Sequence, residues 1–439
     1  MEEITHLSTR GQNAASKPLR MDLEIYKEAM ENRYHSDTNP NGTFPMTVAE
    51  NHLCWDMLRD KMQEISRDQE IPEWVASYGD PAGVLSFREA VADFLGEHLM
   101  RQVIEPETLA CSVGATSVIE MTSFLLAESG DTAVIPAPSY PVYSADIGVM
   151  AGLKRFDLQT HHEVSELANG FPITLSHLEN AKKEIEENGS EFRMLILTSP
   201  DNPSGGIYSE NQFIQMADWC ENEKIHLIIN EIYGLATVDV EHPEIREDYP
   251  NPIEFKSFGN LMKERKSPYL HLWYSLSKDF GISGYRVGIL HSYNEQLITG
   301  YRNIGLTHAI SNHTQWLLGE VLNDQVFVKK YLKSFKEALT KSYLIVCQTL
   351  KKLQIPFNPS YGSLFVWIDL SSLMDTPSQE AQHQLWLEIF QKTGMLITPG
   401  NGFGHSKKGM FRVVITSVSH TELEVAMERF ENFILKKKS

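Results

Sequence analysis

The chain has 439 residues, of which 42% are hydrophobic and 22% charged, and it carries a formal charge of −19. That composition belongs to a soluble globular protein too long for one ordinary core, so a large domain with a smaller companion is expected. The negative balance argues against nucleic acid as a partner, since the only dense basic runs are residues 436–438 and KERK from Lys263.

The N-terminal stretch MEEITHLSTRGQNAASKP has no apolar signal-peptide core, and no window reaches the roughly eighteen apolar residues of a membrane span. A cytoplasmic protein without a membrane partner is expected. Cys54, Cys111, Cys220 and Cys347 are far apart and form no CxxC pair, as suits reduced thiols. HExxH is absent, and the adjacent His161 and His162 sit in a polar, loop-like stretch, so no metal site is expected.

After a polar arm, the spacing of VLSFREAVADFLGEHLM predicts a helix over 84–100, with SYGDPAG before it as a turn. Aliphatic runs then recur as TAVIP at 132, MLILTSP at 194, HLIIN at 226, LHLWYS at 270 and RVGILHS at 286. Most are separated by enough chain for a helix. Continuous Val/Ile/Leu runs are what strands covered on both faces require, so an α/β fold with a mostly parallel sheet flanked by helices is predicted. The last third differs: a long helix from Asp324 to about Lys352, YGSLFVWIDL, a helical QEAQHQLWLEIFQKTG, the loop TPGNGFG, the strand MFRVVITS and a final helix from His420. That mixture predicts a smaller α+β domain. No internal repeat or low-complexity segment is present.

In open α/β sheets ligands collect at the carboxyl ends of strands. Here those ends read SVGATS, PAPSYPVY, TSPDNPSGG, NEIYG and SLSKDFGISGYRVG. The last is the most informative. Lys278 is an amine nucleophile, Ser275 and Ser277 can bond phosphate oxygens, and Arg286 offers a bidentate charged fork. Ala115 and Thr116, opening a helix after Gly114, would add backbone N–H groups and a positive dipole end. A phosphate beside a lysine amine points to pyridoxal phosphate held as a Schiff base. SxSK alone is common in surface loops; the full string is not. GxxxxGK[ST] is absent, and GNGFG is too weak for a dinucleotide site.

On the strength of SLSKDFGISGYRVG the chain resembles the fold-type I pyridoxal phosphate enzymes of the class I/II aminotransferase family. HSDTNPNGTFPMTVAENHLCWDML, residues 35–58, is similar to the aminocyclopropane-carboxylate synthase branch. The resemblance covers roughly residues 30–435. It implies an N-terminal arm with part of the small domain over 1–60, a large cofactor domain over 61–325 and a small domain over 326–439.

The resemblance also implies roles. Lys278 would be the Schiff-base lysine and the base that removes the Cα proton. Ser275, Ser277, Arg286, Ala115 and Thr116 would hold the phosphate. Tyr140 would stack on the pyridine ring, and Asn202 and Tyr233 would bond its hydroxyl. Arg412 would clamp the substrate α-carboxylate, and Glu50 would lie near the substrate. Tyr78 would reach the phosphate of a neighbouring subunit, implying a homodimer with shared sites. Each has an ordinary alternative: a core Tyr140, a turn-forming Asn202, a solvated Arg412 and a helix-capping Glu50.

One position departs from the family. Three residues before Tyr233, where the resemblance implies an aspartate against the ring nitrogen, stands Asn230. Losing that carboxylate lowers the nitrogen's pKa by about 1 to 3 units, roughly 1.4 to 4 kcal/mol of preference for the pyridinium. Either Asn230 donates to an unprotonated nitrogen, or Glu231 or a neighbour restores the charge by a shifted register. Strand alternation puts Glu231 on the opposite face and favours the first.

The expected activity is therefore that of a pyridoxal phosphate enzyme acting on an α-amino acid, with γ-elimination, substitution or cyclisation after Cα deprotonation. Amino-group exchange with a 2-oxo acid is the alternative. A non-catalytic cofactor-binding regulator would need a DNA-binding module, for which the arm before residue 40 is too short. Residues 234–268 contain no motif that names a substrate.

Overall fold

The computed structural model describes residues 6–16, 22–160 and 172–438. His161 and His162 lie outside them, as does part of the N-terminal arm. The described parts of that arm contain helices at Thr9–Ser16 and Leu23–Glu31, followed by the short strand β1 (Phe44–Pro45).

A seven-stranded sheet forms from β2 (Leu109–Ser112), β3 (Thr132–Ala137), β4 (Lys154–Gln159), β5 (Phe192–Thr198), β6 (His226–Asn230), β7 (Leu270–Ser275) and β8 (Gly288–Ser292). Their order is β2-β8-β7-β6-β5-β3-β4. Pairings from β4 through β7 are parallel, while β8 runs antiparallel to both β7 and β2. The five aliphatic runs are all strands. The one beginning at residue 286 starts two residues late, because Arg286 has a left-handed φ of 56° and cannot extend the strand. The short LACS of β2 and the half-polar β4 carry too little aliphatic sequence to be read as strands.

Alternation along the strands sorts side chains into two cores. Leu195, Leu197, Leu227, Ile229, Leu270 and Leu272 join the larger one. Met194, Ile196, Ile228 and Trp273 join a second, which also contains Ile119, Tyr143 and Ile147 from helices on that face. Asn230 continues the series of Ile228 and so belongs to the second face. Glu231 belongs to the first.

A three-stranded antiparallel sheet, β11 (Thr398–Pro399), β12 (Met410–Val414) and β9 (Phe365–Asp369), forms with the C-terminal helices, and β10 (Met395–Leu396) pairs in parallel with β1. The long helix Gln325–Lys352 starts where Asp324 Oδ1 accepts from Phe327 N at 2.9 Å. Leu85–Leu95 is helical as predicted, but residues 96–100 widen into a π turn instead of continuing it. Among the described residues no helix is long and apolar enough to cross a membrane, and no group of three or more His, Cys, Asp or Glu side chains is placed to hold a metal.

Candidate active site

At the carboxyl ends of β5 and β6 a cavity of about 210 Å³ opens between the sheet and its helices. Its walls bring together Ala115, Thr116, Tyr140, Asn202, Asn230, Tyr233, Ser277, Lys278 and Arg286, residues from five separate loops. A wider groove of about 960 Å³ shares Arg286 with it.

Sterics fix the helix start beside Arg286. Gly114 precedes the helix Ala115–Leu126 with a φ of 91°, and a Cβ there would stand 2.2 Å from Arg286 Nη2. Only glycine admits the guanidinium over that helix start. Arg286 itself sits in the left-handed region, strained backbone of the kind found at ligand clamps, and its Nη1 donates to Ser283 O at 2.8 Å.

Lys278 lies in the short helix Leu276–Asp279, capped by Ser275. Its Nζ donates to Ala49 O at 2.7 Å. Burial lowers the amine to about 8; Glu50 opposes that shift, and Arg412 and Arg286 add to it. A glycine at 281 lets the loop seat against the N-terminal segment, because its φ is 67° and a Cβ would meet Asn51 O at 2.2 Å. Asn51 Nδ2 in turn donates to Lys278 O at 3.0 Å.

Asn202 lies in the turn after β5, but its side chain does not form that turn. Its Oδ1 accepts from Arg412 Nη1 at 2.8 Å and its Nδ2 donates to Tyr233 OH at 3.5 Å, while neighbouring Asp201 makes the local turn bonds to Ser204. Arg412 is not solvated either. It is 6% exposed, donates through Nη2 to Thr47 O at 2.6 Å, and lies over the rings of Phe365 and Phe403. Tyr140 packs edge-on against Tyr143, and burial raises its hydroxyl's pKa.

Four residues named from sequence lie apart from the cavity wall. Ser275 spends its hydroxyl on Val287 O (2.6 Å) and Ser277 Oγ (2.8 Å), and accepts from Ser277 N as the helix cap. Arg412 stands behind Asn202. Glu50 pairs with His52 at 3.3 Å and caps no helix, since Cys54 holds the cap position of Trp55–Asp68. Tyr78 is 96% exposed.

Asn230 makes two side-chain hydrogen bonds. Nδ2 donates to Tyr143 OH at 2.8 Å and Oδ1 accepts from Ile232 N at 3.2 Å. Tyr143 OH also bonds Thr198 Oγ1 at 2.9 Å. Glu231 turns away as alternation predicts: Ser257 Oγ and Phe258 N both donate to its carboxyl at 2.6 Å. Burial raises Glu231 to about 8, so it is largely protonated at neutral pH. The shifted register has no support.

Sequence reasoning missed Tyr143, Asp146, Thr198 and Ser283, all on the cavity wall. Tyr143 and Asp146 had a signal: they follow PAPSYP at helical spacing and so share a face.

These residues fit a phosphorylated aromatic aldehyde: an anion cradle, an amine of lowered pKa, an aromatic wall and two hydroxyl partners. The model for aminotransferase class I and II matches residues 45–430. A 1-aminocyclopropane-1-carboxylate synthase of Glycine max is 31% identical over 424 residues, covering 94% of this chain and 84% of that protein. 1-Aminocyclopropane-1-carboxylate synthase 7 of Arabidopsis thaliana is 29% identical over 421 residues, covering 93% and 91%. Among solved structures, a Thermus thermophilus aspartate aminotransferase single mutant superposes with a TM-score of 0.77 at 20% identity, over 98% of this chain and 100% of that one. An archaeal alanine:glyoxylate aminotransferase gives 0.78 at 16%, over 98% of each. The protein belongs to the class I and II aminotransferase family and is a pyridoxal phosphate-dependent enzyme of fold type I.

Proposed function

We propose that the enzyme binds an α-amino acid through its carboxylate at Arg412, removes the Cα proton with Lys278, and expels a γ-substituent with ring closure, S-adenosylmethionine being the substrate to test first. The observation that carries this is the placing of the Lys278 amine, held by Ala49 O, in one cavity with Arg286, Asn202 and Tyr233. The bound cofactor supplies an aldehyde that captures the substrate amine and a ring that takes up electron density from Cα.

Every other part is the chain's own. Ala115, Thr116, Ser277 and Arg286 would hold the phosphate. Asn202 and Tyr233 would orient the ring hydroxyl, and Tyr140 would cover a ring face. Arg412, pinned by Thr47 O and Asn202, presents its guanidinium to the substrate carboxylate. Lys278, lowered to about 8, is partly neutral near pH 7 and can accept a proton. Likeness to the two synthases along nearly the whole chain favours ring closure. Amino-group exchange with a 2-oxo acid is the second outcome, favoured by the family model.

The outermost residue of the set is Tyr78. Its 96% exposure suits a homodimer in which it reaches the partner's phosphate. The division at residues 60 and 325 is supported by β1, which pairs with β10 of the C-terminal part.

Mixing the purified protein with pyridoxal phosphate is expected to give a visible band that Lys278→Ala abolishes. Incubation with S-adenosylmethionine and then other amino acids, with products analysed by mass, is expected to yield 1-aminocyclopropane-1-carboxylate. No band in the wild type overturns the proposal. A keto-acid product with no cyclopropane selects the second outcome.

A further inference from the structure

We propose that Asp146 supplies to the cofactor's ring nitrogen the carboxylate that Asn230 lacks. This rests on the proposed function, because it takes the ring to be held as described there.

The ring nitrogen lies para to the carbon bearing the aldehyde. A ring joined to Lys278, with its phosphate at Ala115 and Thr116, therefore turns its nitrogen away from the lysine, toward the end of β6. Asn230 stands there without a charge, one N–H of its amide given to Tyr143 OH and its oxygen accepting from Ile232 N. One turn beyond Tyr143 in the helix Tyr143–Gly148, Asp146 lines the same cavity.

Asp146 differs from Asp201, Glu231 and Asp279 in accepting no recorded hydrogen bond from the described residues, although the Oδ1 of Asp279 is also without a partner. Asp201 accepts from Ser204, Glu231 from Ser257 and Phe258, and Asp279 from Tyr274 and Leu235. Asp146 is 5% exposed, and its Oδ2 is sealed from solvent with no hydrogen-bond partner among the described residues. A buried acceptor left in that state is destabilising unless a ligand completes it.

The protonation states agree. Burial, with Glu120 adding repulsion, raises Asp146 to about 7. Glu120 itself faces His308 at 3.3 Å, and Tyr140 and Tyr143 are the other titratable neighbours. An acid so raised carries a proton in about half of the molecules near neutral pH, where an ordinary carboxyl carries almost none. Breaking its O–H bond as the ring N–H bond forms leaves a carboxylate beside a pyridinium, with one proton shared and none taken up. Asn230 and Tyr143 then position the ring without charging it.

The full-length protein loaded with ¹⁵N-labelled pyridoxal phosphate tests this by NMR, the visible band confirming occupancy. The wild-type nitrogen is expected to be protonated near neutral pH. Asp146→Asn is expected to keep the band and lower the nitrogen's pKa by about 1 to 3 units. Asn230→Asp added to Asp146→Asn is expected to restore it, which a purely structural role for Asp146 does not predict. An unprotonated wild-type nitrogen overturns the proposal even if the variant fails to fold, as does an Asp146→Asn titration matching the wild type. A wild type that binds no cofactor overturns the proposed function and this with it; a bound cofactor whose nitrogen ignores Asp146 overturns this alone.

Discussion

Glu231 and Asp146 are both buried acids near the end of β6, yet the two faces of the sheet treat them oppositely. On the Glu231 face two donors at 2.6 Å complete the carboxyl, and it serves packing. On the Asp146 face, beside the cavity, one carboxyl oxygen is sealed from solvent with no hydrogen-bond partner among the described residues. Burial raises both acids, so a shifted pKa alone does not separate structural from functional groups; the fate of their hydrogen bonds does.

The sharpest test of the contrast is at the cavity itself. Lys278→Ala is expected to lose the visible band and at least on the order of 10²–10⁴-fold in turnover, the usual contribution of a positioned base. Arg412→Ala comes next. Removing a buried, hydrogen-bonded charge is expected to cost about 2–5 kcal/mol in kcat/KM, roughly 30-fold or more, with the cofactor band retained. If both variants change only thermal stability, this face is no different from the other.

Glu231→Gln probes the packed face. The folded carboxyl titrates near 8 against an ordinary 4.5, so between those values the folded chain holds a proton that the unfolded chain has lost. Stability contributed by Glu231 is thus fully present below about pH 4.5 and declines as pH rises through 8, by at most about 1.4 kcal/mol per pH unit. Denaturant midpoints measured across that range are expected to fall more steeply in the wild type than in Glu231→Gln, with identical cofactor spectra. A spectral change in Glu231→Gln would join the two faces. Smallest is Tyr143→Phe, which removes the acceptor of the Asn230 amide. About 0.5–1.5 kcal/mol of stability is expected to go with it, measured by urea unfolding.

Much of the site was legible because its parts are contiguous. The loop from Ser275 to Gly288 carries amine, cap and arginine in one string, and each aliphatic run names a strand whose end is then known. The direction of Glu231 followed from a period of two. Helical spacing put Asp146 on one face with Tyr143, but its relation to Asn230, at the end of β6, and to Glu120, in another helix, was not legible. Ser275 was assigned to phosphate on residue type, whereas the structure gives its hydroxyl to the helix cap and Val287 O. The burial of Arg412 needed Phe365 and Phe403 to be brought over it.

The pairing of β1 with β10 has a consequence for synthesis. Residues 44–45 dock on residues 395–396, and Arg412 holds Thr47 O, so the segment bearing Ala49 and Asn51 is secured by chain made last. A nascent polypeptide emerging from the ribosome can form most of the large sheet while the lysine pocket still lacks its lid. The lysine pocket is therefore completed only once residues 395–412 are in place, and a truncation before Met395 removes both the strand on which β1 docks and the arginine that holds Thr47 O.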